Sequence, residues 1–214
     1  IAAHPGDGLF TMGAVLAQQI ERGGSGVLLS LSLGERGAPK NIPVQQYGEM
    51  QRAATETAAR LLGANAIFLS YPDAQIPFNE ESSLQLCDAL REHKPDVVVT
   101  HWSGSWHKDH QNCHLMVRDA IFYAALETLQ RHRPAHAVSK VFYADNWEDA
   151  EGFTPYVYVD VTEDLAAWKA AVTSYEFIRG GISTFPYLDY YEALARVRGA
   201  VAGRRFAVAL EVDP

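Results

Sequence analysis

Two stretches of this chain carry side chains suited to gripping a divalent ion. The first, Ile1-Ala2-Ala3-His4-Pro5-Gly6-Asp7, ends an apolar run in an imidazole and a carboxylate three positions apart, with Pro5 and Gly6 forcing a turn between them. The second, far along the chain, is His101-Trp102-Ser103-Gly104-Ser105-Trp106-His107-Lys108-Asp109-His110. Imidazole and carboxylate suit a zinc-type metal. Two histidines and one carboxylate leave a coordination position open, as catalytic zinc sites do. An ion so held brings the pKa of a bound water toward about 7, which makes a nucleophile at neutral pH. The duller readings are a surface turn bearing a stray His and Asp, or His110 and His114 acting as an i,i+4 pair without the N-terminal segment.

For the two stretches to meet, the elements before them must end at one edge. Apolar spacing predicts a helix over residues 9–22, stopped by Gly23-Gly24. Val27 to Leu33 is a nearly continuous apolar run, as in a strand covered on both faces. Gly34-Glu35-Arg36-Gly37 follows as a loop, and Pro43 opens a helix through Leu62 with Gly63 as its cap. Residues 66–69 read as a strand ending in the turn Tyr71-Pro72-Asp73, and residues 81–92 as a helix. Val97 to His101 is the clearest buried strand, followed by the polar aromatic loop and a helix from about His110 to Leu129. Strand and helix alternating in this way make an α/β fold, a mostly parallel sheet in a three-layer sandwich. In such a sheet the loops after the first and fourth strands leave the same edge, where ligands bind.

The remaining third reads as an extension of one domain spanning 1–214, with residues 1–130 as the parallel core and 131–214 as added strands and helices. Strands are expected at 141–143, 156–159 and 206–212, a helix at 163–178, and another after the Tyr-rich stretch 185–191.

Composition bounds the partners. A chain of 214 residues with 48% hydrophobic and 21% charged residues is an ordinary globular protein. A net charge of −8 argues against a nucleic acid, which calls for a basic face. No apolar stretch is long enough for a membrane span. Cys87 and Cys113, the only cysteines, read as reduced, buried thiols of a cytoplasmic protein. No secretory signal is visible, although the chain begins inside a strand. A small-molecule substrate is expected, and homo-oligomerisation is left open.

Ala3-His4-Pro5-Gly6-Asp7, Leu33 to Gly37, Leu62-Gly63, Pro95-Asp96 with Thr100-His101, and His107-Lys108-Asp109-His110 occur in the order typical of the PIG-L/LmbE family of zinc-dependent deacetylases, which the chain resembles over its first half. The resemblance implies a Rossmann-like sandwich that removes N-acetyl groups from amino-sugar conjugates with Zn²⁺. It places His4, Asp7 and His110 at the metal-ligand positions, His107 at the residue that stabilises the oxyanion, and Asp109 at the carboxylate that orients it. Trp168 to Ala171 followed by Tyr175 matches a helix ending near the site, where Tyr175 would donate to an oxyanion. Arg36 and Arg179 are expected substrate contacts. For Trp102 and Trp106, stacking on a sugar and core packing both stay open, as do second-sphere and strand-end roles for His101.

The pattern breaks at one position. The family motif is A-H-P-D-D, and its first Asp, the general base, is Gly6 here. Losing such a base costs on the order of 10² to 10⁴ in rate unless another group substitutes; Glu35 is the preferred substitute, and Asp109, acting through His107, is the other. A branch resembling 4-oxalomesaconate hydratase, which adds water to an unsaturated oxo acid, shares the missing Asp and the G-E-R-G segment. A catalytically silent metal-binding homologue is the third alternative.

Overall fold

The computed structural model describes residues 1–212. It has the α/β architecture expected, with a sheet built outward from the N-terminal segment. Strand β1 (Val27–Ser32) pairs parallel with β2 (Asn65–Tyr71), and β3 (Val97–His101) pairs parallel with β4 (Lys140–Ala144). Residues 1–3 lie between the two pairs. Ala2 N donates to Leu29 O at 2.9 Å, Ser32 N donates to Ala3 O at 3.0 Å, and the Ile1 amino group donates to Val99 O at 2.8 Å. An antiparallel pair, β5 (Val157–Asp160) with β6 (Ala207–Leu210), joins through a bridge between Tyr143 and Glu211. The sheet is therefore mostly parallel with an antiparallel flank.

Helices cover both faces because the strands are apolar on both. On one face lie α1 (Asp7–Phe10), α2 (Gly13–Glu21), α3 (Val44–Leu62), α6 (Leu165–Val172) and α7 (Tyr187–Val201), packed through Leu9, Leu62, Trp168 and Tyr191. On the other, α4 (Glu80–His93) and α5 (Lys108–Ala125) pack through Leu86, Cys87, Cys113, Met116 and Val117. Local chemistry sets the ends. Gly63 caps α3 in the left-handed region at φ 76°, and Asn79 with Ser82 forms a reciprocal capping box at the start of α4.

Several expected elements differ, among them the last helix, which begins at Tyr187 within the Tyr-rich stretch and not after it. The helix over 9–22 is two, broken at Thr11-Met12, where the Thr11 hydroxyl donates to Asp145 O and fixes the chain in another direction. The helix expected to Leu129 ends at Ala125, because Arg91 is buried and donates to the carbonyls of Tyr123, Leu126, Leu129 and Arg133, holding the chain in a different path. The helix over 163–178 ends at Val172, and the Arg179 guanidinium donates to the carbonyls of Thr173 and Ser174 that follow it. Of the strand expected at 206–212, Ala207–Leu210 forms.

Candidate metal centre

His4 and Asp7 leave the C-terminal end of the central N-terminal segment, and His110 stands in the first turn of α5 after β3. The topology brings them together. Asp7 Oδ2 lies 2.9 Å from His4 Nδ1 and 3.1 Å from His110 Nε2, and the two nitrogens are 3.3 Å apart. A tetrahedral zinc ion bound to such atoms holds them about 3.3 Å from one another. The triangle therefore has the edge lengths of three ligands facing one ion.

The outer atoms of the same side chains are also engaged. His4 Nε2 faces Asp73 Oδ1 at 3.1 Å and Asp109 Oδ2 at 3.5 Å. His110 Nδ1 faces Ser105 Oγ at 3.1 Å, Asp149 Oδ2 at 3.5 Å and Glu148 Oε1 at 3.6 Å. Asn146 Nδ2 donates to the other oxygen of Asp7 at 3.2 Å. Groups His4/Asp73/Asp109 and His110/Glu148/Asp149 could each hold an ion by composition. They are the outer edges of the two imidazoles, though, where metal-binding histidines take carboxylate or hydroxyl partners.

Charge on the site points the same way. Among the described residues, no lysine or arginine pairs with these acids. Burial alone would lower the His4 pKa, but Asp7, Asp109 and Asp73 outweigh it and hold His4 well above its ordinary value. Burial likewise opposes the charge on His110, yet Asp7 and Asp149 lift it to about 9. Burial would raise Asp7, and the two imidazoles pull it well below the usual carboxylate range. Asp109 is fully buried, and neither of its oxygens accepts a hydrogen bond. A divalent cation is what this surplus of buried negative charge fits.

His107 stands beside the triangle, its ring centroid 5.0 Å from that of His4 and 4.6 Å from that of His110. It caps α5: Asp109 N–H donates to His107 Nδ1 at 3.2 Å. Burial, with the charges of His110 and His4, lowers its pKa. A neutral ring whose Nδ1 accepts must carry its proton on Nε2, a hydrogen-bond donor. Asp109 thus meets His107 through its backbone, while its carboxylate turns to His4, which corrects the expected carboxylate–His107 pairing. His101 is fully buried, takes the Ala3 N–H on Nε2 at 3.1 Å, and stacks on His110 at 4.0 Å.

Other expected contacts fall elsewhere. Glu35 Oε1 accepts from Asp73 N at 2.8 Å, and no bond links it to His4, Asp7 or His110; its carboxylate is occupied in bracing the Asp73 turn. Arg36 is exposed and offers its backbone N–H to Asp73 Oδ2 at 2.9 Å. Tyr175 is fully buried, with its hydroxyl donating to Pro5 O at 2.9 Å and 2.8 Å from Thr55 Oγ1. It clamps the His4 loop and is not free for a substrate. Arg179 is exposed, and its Nη1 donates to the carbonyls of Thr173 and Ser174. Trp102 is buried and donates to Asp149 Oδ1 at 3.1 Å, so packing describes it. Trp106 is 67% exposed, tilted against His107 at 5.7 Å and tied to Glu148 O, and so stands at the rim.

Asp73, Asn146, Glu148 and Asp149 were not expected at the site. All follow the C-terminal ends of strands, β2 for Asp73 and β4 for the rest. The same edge rule that joins His4 to His110 would have gathered them had it been applied to every strand.

A mostly parallel sandwich with two histidines and an aspartate converging at its carboxyl edge defines a class of metal-dependent enzyme, and the family model described as "PIG-L: GlcNAc-PI de-N-acetylase" matches residues 1–121. The chain belongs to the PIG-L/LmbE family. A 4-oxalmesaconate hydratase of Pseudomonas putida is 22% identical, covering 97% of this chain and 81% of the relative. A conserved protein of Thermus thermophilus superposes with a TM-score of 0.87 at 26% identity, over 100% of this chain and 92% of that one. The N,N'-diacetylchitobiose deacetylase of Pyrococcus horikoshii superposes with a TM-score of 0.84 at 19% identity, over 100% and 82%. The chain is thus similar both to a hydratase and to a deacetylase.

Proposed function

We propose that the chain is a zinc-dependent hydrolase that removes an acyl group from the nitrogen of an amino sugar or a related small conjugate. The observation carrying this reading is His107, whose neutral ring offers an Nε2–H beside the ligand triangle, where an amide oxygen would gain charge. His4 Nδ1, Asp7 Oδ2 and His110 Nε2 would hold the ion. When bound, zinc supplies an acidified water and a Lewis acid for the acyl oxygen. His107 contributes a donor fixed before the reaction begins, and one such donor is worth about 10²–10³ in rate. Gly6 cannot take a proton, and Glu35 is committed to Asp73. Glu148 Oε1 faces the outer nitrogen of His110 at 3.6 Å, so it serves as a partner of that imidazole and does not face the side on which the ion and its water would sit. Trp106 and His107 would border the acyl group.

A second reading, addition of water to an unsaturated oxo acid, is favoured by a different observation. The space a side chain at position 6 would occupy is filled by aromatic rings, so the usual amide-cleaving base has no room. Acetate release from N-acetylglucosamine conjugates by zinc-loaded protein, lost in His107→Ala, supports the hydrolase. Loss of enone absorbance with unsaturated oxo acids, and no acetate release, would replace it with the hydratase.

A further inference from the structure

The G-E-R-G segment is left without work once Glu35 is removed from the base position, yet its atoms are tightly placed. Gly34 takes the left-handed φ of 61°, which turns the chain into the 3-10 turn Glu35–Gly37. From there Glu35 Oε1 takes the N–H of Asp73 at 2.8 Å, and Arg36 N–H reaches back to Asp73 Oδ2 at 2.9 Å. Two loops from neighbouring parallel strands are thereby stitched reciprocally. The Asp73 turn is also held in a costly conformation, because Ser70 and Ala74 on either side have φ of 61° and 59°, where L side chains are strained. With Oδ2 spent on the loop, the remaining oxygen, Oδ1, stands 3.1 Å from His4 Nε2.

We infer that Glu35 and Asp73 are positioning residues that select the metal-competent tautomer of His4. A neutral imidazole carries one proton. If it sits on Nδ1, that nitrogen has no lone pair for an ion. If it sits on Nε2, Nδ1 is free to bind, and a carboxylate accepting from Nε2–H fixes that form and strengthens the nitrogen as a ligand. Asp73 fills this place, Glu35 holds Asp73 there, and neither touches substrate. Asp109, 3.5 Å from the same nitrogen, backs the arrangement from the α5 side.

The inference rests on the metal reading above, and the test separates the two. Zinc and cobalt(II) affinities of the metal-free protein are measured by chelator competition, with the cobalt absorption spectrum as the report on ligand geometry. Asp73→Ala is expected to weaken binding by about 10- to 100-fold and to alter the spectrum. Asp73→Asn, whose amide oxygen can still accept, recovers part of the loss. Glu35→Ala weakens binding less, and adding it to Asp73→Ala costs nothing further, because both act through one atom. Glu35→Gln, keeping an acceptor, stays near wild type. Thermal melts identify any variant that fails to fold, in which case the Asn and Gln pair carries the comparison. If the wild type binds neither ion, the metal reading fails. If the wild type binds and Asp73→Ala matches it in affinity and spectrum, this inference fails alone.

Discussion

Phe177 stands where a side chain at position 6 would go: a Cβ built on Gly6 would lie 2.9 Å from Phe177 Cζ and 3.2 Å from Phe10 Cζ. Phe177 is itself set edge-on to Tyr187 at 5.4 Å, and Phe10 stacks on Tyr187 and Tyr191. Glycine at this position is thus part of an aromatic wall and not an isolated loss of a carboxylate. Gly6→Asp forces Phe177 to turn out, at about 1–3 kcal/mol as for other overpacked sites. We expect a lowered Tm and no gain in amide hydrolysis from Gly6→Asp alone. Gly6→Asp with Phe177→Ala opens that space at the expense of the ring's own packing, and should raise hydrolysis, measured as acetate release. A rate gain in the single variant would show that the wall yields readily.

Protons and metal compete for one set of atoms. In the metal-free protein, Asp7 keeps His110 protonated to about pH 9 and His4 well above its ordinary value. Zinc binding between pH 7 and 8 must therefore release protons. Calorimetry in two buffers of different ionisation enthalpy should show this release, and affinity should rise with pH toward 9. Stability of the metal-free form runs the other way. A raised histidine stabilises fully below its ordinary 6.5 and loses that contribution as pH climbs through about 9. The depressed Asp7 stabilises above its ordinary 3.8 and loses its contribution in acid. The metal-free Tm should peak in weak acid, and zinc should move the peak upward. A metal-free Tm that rises between pH 6.5 and 9 would contradict these assignments.

Much of this arrangement was legible in the chain, for identifiable reasons. Strands buried on both faces, such as Val97 to His101, announce themselves as apolar runs, and their alternation with helices dictates parallel pairing and a shared ligand edge. His4, Asp7 and His110 could be paired on that basis because motif and topology agreed. What stayed hidden depends on direction more than on type. Nothing in the sequence says that the Asp109 carboxylate turns to His4 while its N–H serves His107, or that Tyr175 points at Pro5 O. The early end of α5 is equally unreadable, since a remote partner, Arg91, takes up the carbonyls there.

Tyr175 tests the difference between a clamp and a participant. Its hydroxyl donates to Pro5 O, between His4 and Gly6, and burial pushes its pKa well above the ordinary 10. Tyr175→Phe should cost about 1 kcal/mol, or somewhat more for leaving a buried carbonyl unpaired. Zinc affinity should fall a few-fold at most, since the loop carrying His4 loosens. With zinc saturating, turnover should stay near wild type. A drop in turnover by about 10² or more at full metal occupancy, the size expected for an oxyanion donor, would restore the tyrosine to the chemistry.

Asn146 decides which oxygen of Asp7 is offered to the ion. Its amide donates to Asp7 Oδ1 at 3.2 Å, leaving Oδ2 as the atom common to His4 and His110. The amide is held in place from both sides. Asn146 N donates to Asp149 Oδ1 at 2.7 Å, and the preceding Asp145 is paired with Arg198 at 2.8 Å. Asn146→Ala should therefore weaken zinc binding by about 10-fold or more, as loss of an outer partner does elsewhere, with Tm little changed when zinc is absent. Asn146→Asp adds a charge instead. It sets a second carboxylate against Asp7, so the metal-free protein should lose stability through like-charge repulsion. A bound divalent cation offsets that repulsion, and the Tm gap to wild type should narrow as zinc is added. If the gap is the same with and without zinc, Asn146 supports the fold and has no part in presenting Asp7.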